Sequence, residues 1–184
     1  MGSGLVKTRT IDRPAPLRPD KSICATARGR AVALWLPVFL LPAGNLLITM
    51  RAPGVYDPQL MLRSLIGAAV EEVLFRWILL KTMLLPRVRP AIAICATATL
   101  FAALHLLNVA SGSPVSYVLV QALYAFGFSI WAGAAVWRKN SVLIPLLAHL
   151  LLNLTAGTEE TLLSLAIGMI VLVDGIVLIH SPAS

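Results

Sequence analysis

Two adjacent carboxylates and an arginine interrupt a hydrophobic stretch of the sequence at Glu71–Arg76. A charged group in hydrocarbon costs about 2.5–3.5 kcal/mol or more, so an acid in such a stretch is by default a functional-site candidate. The spacing of four residues lets Glu72 pair with Arg76 on one face of a helix. Glu71 points about 100° away around the same helix, where this arginine does not face it. We therefore interpret Glu72 and Arg76 as a structural ion pair and Glu71 as the candidate catalytic group.

Two other apolar stretches carry polar side chains that can meet Glu71. In the earlier stretch, His105 lies one helical turn before Asn108, which we interpret as a helix-end residue. In the later stretch, His149 and Asn153 lie four residues apart on one helix face. Counted from the predicted outer ends of their helices, Glu71, His105 and His149 fall within roughly 6 Å of one another in depth. This common level predicts one polar cavity in the outer half of a membrane.

The chemistry available to such a cavity is hydrolysis. A carboxylate among apolar side chains suits a general base that activates water. Imidazole and amide groups can donate hydrogen bonds to a developing oxyanion, so His149 and Asn153 would face the carbonyl oxygen. The zinc-protease pattern H-E-x-x-H is absent, so neither a metal nor a cofactor is expected. A zinc ion held by Glu71, His105 and His149 together stays open as an alternative.

The composition places these residues in a membrane protein. Of the 184 residues, 58% are hydrophobic and only 12% are charged, which is far more apolar than a soluble domain. Each of six apolar segments is close to the roughly 20 residues that cross a bilayer. The six segments lie near Ala31–Met50, Ser64–Leu85, Ala91–Asn108, Val115–Trp137, Ser141–Ala156 and Thr161–His180. We expect an all-α bundle of about six transmembrane helices over residues 31–184, preceded by a flexible, basic cytoplasmic tail over residues 1–30.

The basic residues predict the orientation of this bundle. The formal net charge is +7, and the lysines and arginines cluster before the first segment, after the second and after the fourth. If six helices alternate in direction, these clusters lie on one side of the membrane, which is the cytoplasmic side, and both termini are inside. Because no folded polar face carries the charge, we expect the lipid bilayer as a partner and no nucleic acid.

Three short motifs occur in order on successive predicted helices: E-E-x-x-x-R at Glu71–Arg76, F-x-x-x-H at Phe101–His105 and H-x-x-x-N at His149–Asn153. In this set the sequence resembles the CPBP family of intramembrane proteases, also called the CAAX protease and bacteriocin-processing or Abi family. The resemblance covers about half of the chain, from Ser64 to Thr155. It implies a glutamate-dependent endopeptidase that acts near the C-terminus of membrane-associated proteins or peptides.

The resemblance also implies a role for each residue at a motif position. Glu71 would activate the water with His105, while His149 and Asn153 would stabilise the oxyanion. The supporting residues are Glu72, Arg76 and Phe101.

Two departures from the family pattern matter. Trp77 follows the arginine, where a small residue is common in the family, so we expect the local packing to differ there. The chain has fewer predicted helices than the eukaryotic prenyl-protein proteases, which argues against prenylated substrates. Because an outward-facing site suits it better, we favour bacterial sorting-signal or peptide maturation over prenyl-CAAX processing. This interpretation places the protein in a bacterial inner (plasma) membrane, with the active site toward the outer half.

Two other functions remain open. The first is a non-catalytic bacteriocin-immunity or scaffold protein of the membrane, as some members of the family are thought to be. The second is a proton-coupled transporter, because intramembrane Glu and His residues also relay protons. Transporters of that kind usually show corresponding interrupted helices in two halves, which this sequence lacks. Asp174, in the last segment, has no role in any of these hypotheses.

Overall fold

The computed structural model describes residues 36–39, 42–43, 58–85, 88–155 and 162–181. The predicted tail over residues 1–30 and most of the first apolar segment lie outside the described residues. Within these ranges every regular element is a helix and there is no strand, which confirms the all-helical part of the predicted fold class.

The first long helix, α1, changes its hydrogen-bonding pattern along its length. It begins as an α-helix over Pro58–Glu72, continues as a π-helix over Val73–Leu80 and ends as an α-helix over Lys81–Leu84. The helix starts six residues before the predicted second segment. Proline suits a first helical position because its missing N–H has no intrahelical partner there, so Pro58 fits the start of α1.

The π-helical part of α1 keeps one face of the helix turned toward the core. Ala68, Glu72, Arg76 and Leu80 are spaced by four residues, and all four are buried. In an ideal α-helix each such step drifts by about 40° around the axis, so the series would rotate out of the core. Because π-helical hydrogen bonds reach five residues back, the wider turn offsets this drift. The acidic and basic members of the motif therefore stay on the buried face.

Four further long helices follow α1, and the described residues also include a short 3₁₀ helix over Pro37–Phe39 before it. Helix α2 spans Pro90–His105 and ends in a 3₁₀ turn over Leu106–Val109. Helix α3 spans Val115–Lys139 and is terminated by Asn140, whose φ of 50° is the left-handed conformation that commonly ends helices. Helices α4 and α5 span Leu143–Thr155 and Leu162–His180.

Helix α3 is the centre of the bundle. Residues 127–136 of this helix are all buried, as expected of a helix surrounded by others. It lies against α5 and α2 and also contacts α4 and the π-helical part of α1. The first part of α1 packs against α4 instead. We call this contact, which brings together Ser64, Glu71 and Glu72 of α1 with His149 and Asn153 of α4, the α1–α4 seam.

Two helices in the described part of the chain are long and apolar enough to cross a membrane, Pro90–Val109 and Val115–Lys139. Leu143–Leu154 and Ser164–His180 are shorter apolar helices. The complete bundle of about six spans, with both termini in the cytoplasm, stays a prediction.

Candidate active site

His149 of α4 lies between the two carboxylates of α1. Its Nδ1 atom is 2.9 Å from Oε1 of Glu72, and its Nε2 atom is 3.7 Å from Oε2 of Glu71. A carboxylate accepts hydrogen bonds, so the shorter contact is a hydrogen bond from Nδ1–H to Glu72. The structure thus brings Glu71 and His149 together, as their order and depth in the sequence predict.

Glu72 and Arg76 also form the ion pair that their spacing predicts. Arg76 Nε is 3.3 Å from Glu72 Oε2, and both side chains are buried. The pair is an ionic contact without hydrogen-bond geometry, because neither Arg76 Nε nor Glu72 Oε2 has a hydrogen-bond partner among the described residues. The one hydrogen bond that Glu72 makes there goes to His149.

Aromatic rings enclose the guanidinium of Arg76. Its Cζ atom is 4.4 Å from the ring centre of Phe101, 5.7 Å from that of Phe128 and 6.0 Å from that of Phe75. A cation within about 6 Å of an aromatic face is attracted by the ring quadrupole, and more strongly where water is excluded. These rings and Glu72 therefore stabilise a charge that lies out of reach of solvent.

His105 of α2 approaches the same group of aromatic side chains. Its Nδ1 atom is 2.9 Å from the carbonyl oxygen of Phe101, and since a carbonyl only accepts, the proton of the neutral ring lies on Nδ1. Its Nε2 atom is left as an acceptor. The ring of Phe101 is centred 4.8 Å from that of His105 and 6.0 Å from that of His149. Phe101 thus links the two histidines, which make no hydrogen bond to each other in the described structure.

Asn153 ties α4 to α1. Its Nδ2 atom donates to the backbone oxygen of Ser64 over 3.0 Å. This bond holds the α1–α4 seam in register, and it commits one of the two N–H groups of the amide. The structure therefore brings Asn153 to the seam without a direct bond to Glu71 or His149.

Glu71 is the acid that an incoming molecule can reach. Its side chain is 39% exposed, whereas that of Glu72 is fully buried and that of His149 is 9% exposed. A helical side chain leans toward the N-terminus of its helix, so Glu71 leans over Gly67, one turn earlier. A Cβ atom built on Gly67 has no described atom within 4 Å. No described residue therefore covers the helix face one turn before the half-exposed carboxylate.

Sequence reasoning did not single out two residues of α3, one beside the site and one outside it. Phe128 of α3 has its ring centre 5.2 Å from that of His149, and nothing distinguishes it in sequence from other apolar residues of α3. Gln121, also of α3, accepts a hydrogen bond of 2.8 Å from Nδ2 of Asn108. The sequence could have indicated this pair, because Gln121 is an amide side chain inside an apolar stretch.

Asp174 of α5 stays apart from the seam. It is half-buried, and its Oδ2 atom has no hydrogen-bond partner in the described part of the chain. Helix α5 packs on α3 rather than on the seam, so the structure suggests no site role for this acid.

The donors that could hold a metal do not converge. Among the described residues, no three His, Cys, Asp or Glu side chains lie close enough together to bind one ion. A zinc site at Glu71, His105 and His149 would need these side chains to come closer than they lie here.

The family model described as type II CAAX prenyl endopeptidase, Rce1-like, matches residues 56–155 of the chain. The match covers more than half of the sequence and includes all the motif positions from Glu71 to Asn153. Comparisons with curated proteins and with solved structures gave no match.

Proposed function

The chain belongs to the Rce1-like family of type II CAAX prenyl endopeptidases, which is the CPBP family, and on that premise we propose that it is a glutamate-dependent intramembrane endopeptidase. The family consists of integral membrane proteases, so the broad activity is that of a membrane hydrolase. The observation that most supports the specific proposal is the contact of a half-exposed Glu71 with His149, beside a helix face that no described residue covers.

The proposed reaction begins at Glu71. Its carboxylate takes a proton from a water molecule, whose oxygen forms a bond to the carbonyl carbon of the scissile peptide. Nε2 of His105 accepts a hydrogen bond from the same water and holds it in place. When the tetrahedral intermediate collapses, the carbon–nitrogen bond breaks and Glu71 returns the proton to the leaving amine.

The carbonyl oxygen becomes negatively charged during the attack and needs hydrogen-bond donors. We assign this role to Nε2–H of His149 and to the N–H of Asn153 that Ser64 does not use. Glu72 and Arg76 support His149 from the buried side, and Phe101 separates the reacting groups from the rest of the bundle.

We propose a membrane-associated protein or peptide, cut near its C-terminus, as the substrate. We favour bacterial sorting-signal or peptide maturation over prenyl-CAAX processing, because a site toward the outer half of the membrane suits that processing better. The positive-inside pattern supports a bacterial plasma membrane location with the active site toward the outer half. The reaction as proposed uses no metal.

The test uses purified protein in liposomes. Two fluorogenic peptides with the same C-terminal sequence, one farnesylated and one not, are offered to wild type, to Glu71→Gln and to Arg63→Gln. Arg63 is an exposed residue of the same helix and serves as the matched control. We expect cleavage by wild type and by Arg63→Gln, and none by Glu71→Gln. Cleavage by Glu71→Gln at the wild-type rate would contradict the proposal.

A chelator added to the same assay distinguishes a metal-free hydrolase from a zinc-dependent one. Cleavage that survives the chelator supports the metal-free reaction. Cleavage that stops and returns with added zinc supports the alternative in which Glu71, His105 and His149 hold an ion.

A further inference from the structure

Glu72 does more in this structure than neutralise Arg76. An ion pair within one helix needs only the spacing of four residues, and it leaves the second carboxylate oxygen free. Here that oxygen, Oε1, lies 2.9 Å from Nδ1 of His149, on another helix and 77 positions further along the chain. Both groups are buried, so water does not compete for the contact.

The direction of this hydrogen bond follows from the chemistry of the two groups. A carboxylate only accepts, so Nδ1 of His149 must carry the proton. The carboxylate itself is fixed by the Arg76 guanidinium, which the rings of Phe75, Phe101 and Phe128 enclose. Among the described residues, Glu72 has its hydrogen bond with His149, and Arg76 makes no hydrogen bond.

We infer that Glu72 is a positioning residue, which keeps a proton on Nδ1 of His149 and so makes Nε2 the nitrogen that acts on the substrate. This inference rests on the proposed function, because it assigns the supporting group for the same reaction. A buried acid beside the Nδ1–H of a catalytic histidine has this role in serine proteases, where it fixes the tautomer and the orientation of the ring.

The geometry gives Nε2 a suitable place to act. It points toward Glu71, 3.7 Å away, and Glu71 is the exposed member of the pair. In the doubly protonated ring, Nε2–H is the donor to the oxyanion. The charges of Glu71 and Glu72 are then balanced by Arg76 and His149, so these four groups together are neutral.

The ring proton can be observed directly in the wild-type protein. The chain has three histidines, so ¹⁵N-labelled histidine gives a simple NMR spectrum whose ring-nitrogen shifts report which nitrogen is protonated. His105 and His180 both contact backbone oxygens through Nδ1, and single His→Gln variants at these two positions assign their signals. We expect a protonated Nδ1 at His149. A ring of His149 protonated only at Nε2 would overturn the inference, whatever the enzymatic activity.

Variants of Glu72 test the consequence for catalysis. Glu72→Gln keeps the shape but offers an amide, which can present either a donor or an acceptor to the ring. We expect kcat to fall by about 10²-fold or more with KM changed by less than about twofold, because only the positioning of His149 is lost. Nδ1 of His149 should lose its proton in part of the molecules, because the amide does not hold that proton as the carboxylate does. The signal of His105 should not move, because its partner is a backbone oxygen.

A second variant covers the case in which Glu72→Gln fails to fold. Glu72→Gln combined with Arg76→Met removes both buried charges, a replacement that is often neutral or stabilising for a buried ion pair. If Glu72 serves only to neutralise Arg76, this double variant should recover full activity and the wild-type proton position of His149. If Glu72 positions the ring, the protein should fold, yet kcat should stay low and Nδ1 of His149 should remain partly unprotonated.

The two proposals fail in different ways. Cleavage that does not depend on Glu71 would remove the proposed function, even if the ring proton of His149 lies where we expect it. Cleavage that depends on Glu71 but is insensitive to Glu72→Gln would remove only the positioning role.

Discussion

Two helices pack together at the α3–α5 contact and two at the α1–α4 seam, but different interactions join them. The α3–α5 contact depends on close packing at glycines, and the seam depends on polar groups. A Cβ atom added to Gly127 of α3 would lie 2.5 Å from the carbonyl oxygen of Gly168 of α5. One added to Gly175 would lie 2.7 Å from the backbone nitrogen of Trp131. The seam instead joins its helices through polar groups. Gly67, one turn before Glu71 on α1, has no described atom within 4 Å of an added Cβ.

This difference follows from what holds helices together in lipid. Lipid chains are as apolar as leucine, so helices associate through close packing of small residues and through interhelical hydrogen bonds. The α3–α5 contact uses close packing and leaves no space for an added atom. The seam uses buried polar groups, which are costly in a membrane and are usually functional. We therefore expect the first contact to serve stability and the seam to serve chemistry.

The largest expected effect on stability comes from separating the buried ions of the seam. Arg76→Met leaves the Glu72 carboxylate buried without its cation, and breaking such a pair typically costs about 3–5 kcal/mol. Thermal unfolding in detergent should show the loss, and Glu72→Gln/Arg76→Met should recover most of it. A stable Arg76→Met variant would show that the seam tolerates an unpaired charge, contrary to this account.

Adding one methyl group to the close-packed contact should have the next largest effect. Gly175→Ala places a Cβ against the backbone of Trp131, which cannot move aside as a flexible side chain would. Overpacking of this kind costs about 1–3 kcal/mol. Thermal unfolding measures the cost, while the activity of the molecules that remain folded should be close to wild type. An unchanged melting temperature would mean that α3 and α5 lie further apart than described.

Two interhelical hydrogen bonds allow a matched comparison. Asn153→Ala removes the bond to Ser64 in the seam, and Gln121→Leu removes the bond to Asn108 outside it. Such bonds are worth about 0.6–1.7 kcal/mol in a membrane, so the two losses of stability should be similar. Only Asn153→Ala should also lower kcat strongly. Equal activity in the two variants would remove Asn153 from the reaction.

The smallest effect on stability is expected at Gly67. Gly67→Ala should raise the stability of α1 by up to about 1 kcal/mol, because alanine is the better helix former and no described atom opposes its Cβ. Cleavage should nevertheless fall, because the added methyl group narrows the space beside Glu71. The same substitution thus has opposite effects on stability at Gly67 and at Gly175. A loss of stability in both Gly67→Ala and Gly175→Ala would contradict the difference that we describe between the two helix contacts.

Part of this architecture could be predicted from local patterns in the sequence. Helices α2 to α5 follow from apolar runs, and the Glu72–Arg76 contact follows from a spacing of four residues. The proximity of Glu71 and His149 follows from motif order and depth. Each of these predictions uses either helical periodicity or the thickness of a membrane.

The rest depends on long-range packing or on small changes in backbone geometry. In a π-helix each backbone hydrogen bond reaches five residues back instead of four. The residue types of a segment do not reveal this difference. The bond of Glu72 to His149 depends on how α4 is rotated against α1, and spacing within one helix does not determine that rotation. The start of α1 at Pro58 was missed because its first residues, which include Gln59 and Arg63, are too polar for an apolar segment.

The central claim is that Glu71 makes this protein a protease, and comparison of protein termini in living cells tests it most directly. Cells producing wild type or Glu71→Gln at equal levels are compared by mass spectrometry of membrane-protein C-termini and processed fragments. We predict that a defined set of shortened C-termini is present with wild type and absent with Glu71→Gln. Identical profiles at equal protein levels would contradict the claim and favour a non-catalytic immunity or scaffold role.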